Sequence, residues 1–150
     1  FANSKNITIS IESMAGSKII NNLLINFQKY SVGCVYDTGN RVTISRSQYE
    51  DIQNLSEFIN HVHIKDKDSK NNNVVLGKGL VRFEEIFKAL KNINYNGKFT
   101  METNRGENPV NTATENIKLL EMYSNDVNYQ WLKKMILFYS LDSGELDRDT

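Results

Sequence analysis

Residues 60–66 read NHVHIKD and residues 97–103 read GKFTMET, and the alternation of polar and apolar residues in them decides the fold. A β-strand turns successive side chains to opposite faces. In the first stretch the two histidines and Lys65 would therefore point to one side, and Val62 and Ile64 to the other. This pattern predicts strands with an apolar face under helices and a polar face that lines a mouth.

Residues 7–13 (ITISIES) alternate in the same way, and residues 32–38 (VGCVYDT) form a further β-like run. Between the strands, apolar residues recur at helical spacing, at Ile19, Ile20, Leu23, Leu24 and Phe27 in one segment and at Phe83, Ile86, Leu90 and Ile93 in another. Two further segments, after the second and fourth of these strands, show weaker helical spacing, so each predicted strand is followed by a helix. Such a repeat is typical of a parallel sheet, so we predict an α/β fold with about four βα units.

One polar residue of metal-binding type lies at the end of each predicted strand: Glu12, Asp37, His63 and Glu102. The carboxyl ends of parallel strands meet on one face of a barrel, where barrel enzymes carry their active sites. Carboxylates with an imidazole suit Mn²⁺, Co²⁺, Mg²⁺ or Zn²⁺. A single glutamate or histidine in such a place is usually a solvated or packed residue. The recurrence in consecutive units instead predicts one divalent-metal site.

The chain is short for a closed barrel. An eight-stranded barrel usually takes about 250 residues, whereas this chain has 150 and starts at Phe1. We therefore interpret it as a half-barrel or a fragment. Its open sheet edges would expose unpaired backbone groups. We expect it to form a homo-oligomer or to pair with a missing half-barrel.

Composition narrows the function only a little. Eighteen basic and eighteen acidic residues give a net charge of zero, which disfavours binding to nucleic acid because phosphate affinity needs clustered Lys and Arg. No apolar run reaches the roughly 18 residues of a membrane span, so no membrane association is expected. The single cysteine, Cys34, excludes a disulfide within the chain and favours a reducing compartment, here the cytoplasm.

The ordered stretches ISIES, GCVYDTGN, HVHIKDKD and LGKGLVRFEEIFKALKNINYNGKFTMET resemble the C-terminal half of the sugar phosphate isomerase/epimerase family, which has a xylose isomerase-like TIM barrel. The resemblance covers about residues 7–122 and is strongest in the last stretch. It implies that the βα units are the fifth to eighth of a full barrel, and that the missing half is N-terminal. We accordingly divide the chain into residues 1–125, the half-barrel, and residues 126–150, an extra helix with a polar tail.

By this resemblance Glu12, Asp37, His63 and Glu102 match the metal ligands of the family. The resemblance implies a metal-dependent isomerase or epimerase that acts on a sugar or sugar phosphate by proton transfer through an enediolate. Glu12 and Glu102 would be the catalytic acid and base on opposite faces of the substrate. The ion would stabilise the charge that develops on the substrate oxygens.

Further residues near these ligands are candidates for substrate binding: Asn40, His61, Lys65 and Arg105. Most of them also have a structural alternative. Asn40 could be a turn residue, His61 a packed, hydrogen-bonded histidine, and Lys65 a salt-bridge partner at the barrel rim.

Phosphate could bind at the loop LGKG, residues 76–79, which offers glycine amides and Lys78. Arg105 in the stretch TNRGE would add a second positive charge. The alternative for the same loop is a tight turn that leads into the next helix.

Two other functions stay open. The stretch ESMAG is similar to endonuclease IV-like nucleases, but their three-metal site needs several more histidines than the two of this chain. A noncatalytic half-barrel that serves as an assembly module would bind no stoichiometric metal.

Overall fold

Strands and helices alternate along the chain in the computed structural model, which describes residues 1–124 and 135–137. The strands are β1 (Ile9–Ile11), β2 (Val32–Asp37), β3 (Ile59–Ile64), β4 (Asp66–Lys67), β5 (Asn73–Val74), β6 (Lys98–Met101) and β7 (Met135–Leu137). The helices are α1 (Ser17–Leu24), α2 (Thr38–Val42), α3 (Gln48–Asn54), α4 (Phe83–Asn92) and α5 (Pro109–Ser124). Two short 3-10 helices cover Asn3–Lys5 and Ile25–Phe27.

The predicted strands β1, β2, β3 and β6 lie side by side in this order, and all of them are parallel. They are connected in turn by α1, by α2 with α3, and by α4. The short strands β4 and β5 form a separate antiparallel hairpin in the loop after β3. This arrangement confirms the predicted α/β fold, in which parallel βα units form part of a barrel.

The two decisive strands follow the predicted alternation. Val62 and Ile64 of β3 are fully buried, and Phe99 and Met101 of β6 belong to the same core. Burial of such side chains stabilises a fold by about 1.5–3 kcal/mol each. The apolar face of these strands therefore holds the helices against the sheet.

Helix α4 has the predicted apolar face. Phe83, Ile86 and Leu90 are buried, and their spacing places them on one side of the helix. Shortly after the helix ends, Asn94 takes a left-handed backbone conformation with φ of 53°, which is a common way to stop a helix. None of the described helices is long and apolar enough to cross a membrane.

Strand β1 departs from the prediction. Ile7 and Ile9 are 51% and 45% exposed, although the alternation predicts that both pack under helices. β1 is the outermost strand on its side of the sheet, so no strand lies beyond it in the described part of the chain. Helix α1 buries Leu24 but leaves Ile19 65% exposed. This side of the sheet therefore presents apolar side chains to solvent.

Residues 135–137 correct the prediction for the tail. The sequence predicts a helix after residue 125, but Met135–Leu137 form β7, which pairs in parallel with β6. The helix prediction is wrong for these residues. The reason is that a bare sheet edge offers unpaired backbone donors and acceptors, which a strand satisfies and a helix does not. The rest of the predicted helix and the polar tail lie outside the described residues, and the division at residue 125 stays a prediction.

A buried arginine ties the loop after β1 to two helices. Arg41 of α2 is 2% exposed and pairs with Asp51 of α3 through two hydrogen bonds of 2.7 Å. Its Nη1 also donates to the carbonyl oxygens of Ser13 and Ala15, at 3.3 and 2.6 Å. Because Ser13 directly follows Glu12, the arginine fixes the place where the chain leaves β1.

We expect Arg41→Met to lower the free energy of unfolding by about 3–5 kcal/mol, because Asp51 would stay buried without its counter-charge. The matched control is Arg82→Met, which removes an exposed ion pair with Glu85 and should cost no more than about 0.5 kcal/mol. Urea unfolding followed by circular dichroism measures both variants. Equal losses in the two would contradict this role of Arg41.

Candidate metal centre

The predicted ligands lie at one edge of the sheet. Glu12 directly follows β1, and Glu102 directly follows β6. Asp37 ends β2, and His63 lies one residue before the end of β3. Asp37 and His63 are also direct neighbours in the strand register. Because the strands are parallel, their carboxyl ends meet at the same edge and bring these side chains together.

His63 lies at the centre of this group. Its Nδ1 atom is 3.1 Å from Glu102 Oε1, 3.5 Å from Glu12 Oε2 and 3.9 Å from Asp37 Oδ2. The nitrogen is shielded from solvent and makes no hydrogen bond with the described residues. Three carboxylates thus surround one imidazole nitrogen that lacks a hydrogen-bonding partner.

This set of donors fits a divalent cation. Three possible ligand atoms, one each from Glu12, Asp37 and His63, lie within 4.8 Å of one another. An ion between them would give His63 Nδ1 the partner that it lacks, and it would neutralise carboxylates that otherwise repel one another. Carboxylate oxygens with one imidazole suit Mn²⁺, Co²⁺, Mg²⁺ or Zn²⁺. The residues present are therefore able to hold such an ion.

Lys65 forms salt bridges with two carboxylates of this group, Asp37 and Glu102. Its Nζ lies 2.8 Å from Glu102 Oε2 and 2.9 Å from Asp37 Oδ2. Burial alone would lower the pKa of Lys65, but the hydrogen bond to Glu102 and the charge of Asp37 outweigh burial, so the pKa is raised. The lysine is therefore held in its charged form beside two of the predicted ligands.

Asn40 orients two of the carboxylates. Asp37 is the N-cap of α2, and its Oδ1 accepts a hydrogen bond of 2.7 Å from the Asn40 backbone amide. The Asn40 side-chain amide donates to Glu12 Oε1 at 2.9 Å. One oxygen of each carboxylate is thus engaged by Asn40, while the other faces His63.

The remaining candidates for substrate binding lie in different surroundings. His61 Nε2 makes a hydrogen bond of 2.7 Å with the Thr100 hydroxyl, and its ring packs edge-on against His63 at 5.2 Å between centroids. Burial lowers the pKa of His61, which favours the neutral imidazole. Arg105 is exposed in the loop between β6 and α5.

The glycine-rich loop binds a carboxylate of the chain itself. Asp66 is fully buried, and its Oδ2 accepts hydrogen bonds from the amides of Gly77 and Gly79, each at 2.9 Å. Its Oδ1 accepts from the amides of Lys67 and Val81, at 2.9 and 3.0 Å. The glycine amides are therefore not available to a phosphate, and the loop is a tight turn before α4.

Sequence reasoning missed two residues that support the site. Arg41 holds the loop after Glu12, and the Thr38 hydroxyl both accepts from the backbone amide of Lys65 and donates to its carbonyl oxygen, at 2.9 and 2.6 Å. One signal could have pointed to the arginine. Asp51 stands beside apolar residues in a helical stretch, and a buried charge in such a place needs a partner.

Residues 1–123 match the family described as xylose isomerase-like TIM barrel. No curated protein matches the chain by sequence. The solved structure of 3-keto-D-glucoside 4-epimerase, YcjR, from E. coli is 18% identical, with a TM-score of 0.69 over 81% of this chain and 48% of that chain. D-psicose 3-epimerase is 21% identical, with a TM-score of 0.66 over 84% of this chain and 51% of that chain. The IOLI protein with a binding zinc atom is 21% identical, with a TM-score of 0.58 over 83% and 50%.

The chain spans about half the length of these solved structures, and its likeness to them lies in the fold. The family match extends from the first residue to the end of the βα units and includes each predicted metal ligand. The chain therefore belongs to the xylose isomerase-like TIM barrel family.

Proposed function

We propose that the chain is the C-terminal half of a metal-dependent isomerase or epimerase that acts on a sugar or sugar phosphate by proton transfer. The observation that carries this proposal is His63 Nδ1, which has three carboxylates within 3.9 Å and no hydrogen bond to any residue that the structure describes. Two similar structures are named as a 3-keto-D-glucoside 4-epimerase and a D-psicose 3-epimerase. These names support a sugar as the substrate.

The proposed metal ligands are Glu12, Asp37, His63 and Glu102. When bound, a divalent ion supplies positive charge that stabilises developing negative charge on substrate oxygens. The zinc atom with which the similar IOLI structure is named supports a divalent ion as the cofactor. Within the described ranges, Glu12, Asp37 and His63 form the one group suited to a metal. This favours a single ion over the multi-metal site of a nuclease.

Glu12 and Glu102 are the proposed acid and base. They follow β1 and β6, which flank β2 and β3 in the sheet, so they would reach a substrate from opposite sides of His63. Their side chains are 40% and 27% exposed, which leaves room for contact with a substrate. One carboxylate would take the proton from the carbon next to the carbonyl, and the other would return a proton on the opposite face.

The proposed substrate contacts are Asn40, His61, Lys65 and Arg105. A sugar has many hydroxyl groups, and amide, imidazole and charged side chains are suited to donate or accept hydrogen bonds with them. A phosphate on the substrate would need charged side chains such as the exposed Lys78 and Arg105, because the amides of Gly77 and Gly79 already bind Asp66.

A second half-barrel beside β1 is the proposed partner, either the N-terminal half of the same protein or another copy of the chain. The chain spans about half of the similar structures, and β1 has no outer neighbour among the described strands. The exposed side chains of Ile7, Ile9 and Ile19 would be covered by such a partner. Removing this apolar surface from water would favour the pairing.

We also propose that the protein works in a reducing compartment such as the cytoplasm. Its one cysteine, Cys34, is free and buried, and the chain cannot form an internal disulfide. Burial raises the pKa of the Cys34 thiol to about 12, so the group is an inert part of the core.

We expect the chain to bind one Mn²⁺ ion, and we expect Glu12→Gln to weaken this binding by at least about tenfold, because the variant loses a charged ligand. Glu85→Gln is the matched control, since its side chain has the same 40% exposure as that of Glu12 but lies outside the group. Isothermal titration calorimetry measures the dissociation constants. Failure of the wild-type chain to bind Mn²⁺, or equal affinity in both variants, would contradict the metal site.

In the protein that contains this chain, we expect Glu12→Gln and Glu102→Gln each to lower kcat by about 10²–10⁴-fold, because each removes a group that transfers a proton. Glu85→Gln should keep the wild-type rate. Uptake of deuterium from D₂O into a ketose, followed by NMR, measures proton transfer directly. The assignment of acid and base is wrong if both glutamine variants exchange the proton as fast as the wild type.

A further inference from the structure

The ammonium group of Lys65 lies between two of the proposed metal ligands. Its ammonium group contacts Glu102 Oε2 and Asp37 Oδ2, at 2.8 and 2.9 Å, and its side chain is 11% exposed. Asp37 is 1% exposed, and a carboxylate so deeply buried needs a counter-charge. Among the described residues, Lys65 is the one lysine or arginine that forms a salt bridge with Asp37.

The position of Lys65 is built into the fold. The Thr38 hydroxyl holds its backbone through hydrogen bonds to both the amide and the carbonyl. Gly39 leaves space for the lysine stem, because a Cβ at this position would lie 2.8 Å from Lys65 Cγ. Two neighbouring residues of α2 therefore direct the ammonium group toward the carboxylates.

The lysine and the proposed metal would share the same carboxylates. Asp37 Oδ2 faces both Lys65 Nζ and His63 Nδ1. Glu102 divides its two oxygens, with Oε2 on Lys65 and Oε1 toward His63. Without a positive charge between them, Asp37 and Glu102 would repel each other and Glu12.

We propose that Lys65 is a positioning residue that takes the place of the metal before the metal binds. It holds Asp37 and Glu102 together in the metal-free protein, and it keeps one oxygen of Glu102 turned toward His63. This role rests on the metal site of the proposed function. It goes beyond that function because it assigns to Lys65 the task of holding the ligands in place while no metal is bound.

This role predicts that loss of Lys65 lowers the thermal stability of the metal-free protein more than that of the metal-loaded protein. In EDTA, we expect Lys65→Met to lower the Tm of the chain by roughly 10 °C, because it leaves buried carboxylates without a counter-charge. Saturating Mn²⁺ should recover most of this loss, because an ion that binds the folded state restores the charge balance. Thermal unfolding followed by circular dichroism measures both conditions.

Two further variants separate this role from simple packing. Lys67→Met removes a lysine two residues along the chain whose Nζ contacts Asn71, and its Tm should equal that of the wild type in both conditions. In EDTA, the double variant Lys65→Met with Glu102→Gln should have a higher Tm than Lys65→Met alone, because one of the repelling charges is gone.

The outcomes distinguish this inference from the proposed function. If the wild-type Tm does not respond to Mn²⁺, the metal site is wrong and the role of Lys65 falls with it. If the wild type responds but Lys65→Met loses the same Tm in EDTA and in Mn²⁺, the inference about Lys65 alone is overturned. A double variant as unstable in EDTA as Lys65→Met also overturns it.

Discussion

The register between β2 and β3 is the constraint on which the metal centre depends. Cys34 stands opposite Ile59, but the register then shifts by one residue, so that Asp37 stands opposite His63. Without the shift Asp37 would stand beside Val62, whose side chain belongs to the core. A bulge beside a functional site commonly re-aims side chains in this way. Just before the shift, Gly33 allows close approach of the two segments, because a Cβ there would collide with the Phe58 carbonyl oxygen and the Asn60 side chain.

The sequence predicted those features that depend on local periodicity. Alternation of polar and apolar residues located β3 and β6, and it placed Val62 and Phe99 in the core, whereas β2 was predicted as a β-like run without alternation. The four strand-end residues were found for the same reason, since the end of a strand can be read from the sequence and parallel strands end at one edge. Glu12, Asp37, His63 and Glu102 lie close together because their parallel strands end at the same edge of the sheet, and this arrangement follows from the predicted order of strands and helices.

Features that depend on distant parts of the chain were not predictable. Nothing in the local pattern shows that Arg41 pairs with Asp51, or that Asp66 binds the amides of the glycine-rich loop, because these partners are chosen by the fold. The alternation around Ile9 is like that of the inner strands, yet this residue is exposed, because burial requires a neighbour that the described chain does not supply. The strand β7 was not predictable for the same reason, because it forms by pairing with β6, which is distant in the sequence.

Among the described residues, the sheet ends at β1 on one side and at β7 on the other, and each strand covers three described residues. A chain added at β1 would gain only a few backbone hydrogen bonds, so this edge is poorly suited to fibril growth by repeated strand addition. Stable association at this edge would instead draw its energy from the fit of side chains such as Ile7 and Ile19. A short edge strand therefore favours a partner with a complementary surface over an arbitrary extended peptide.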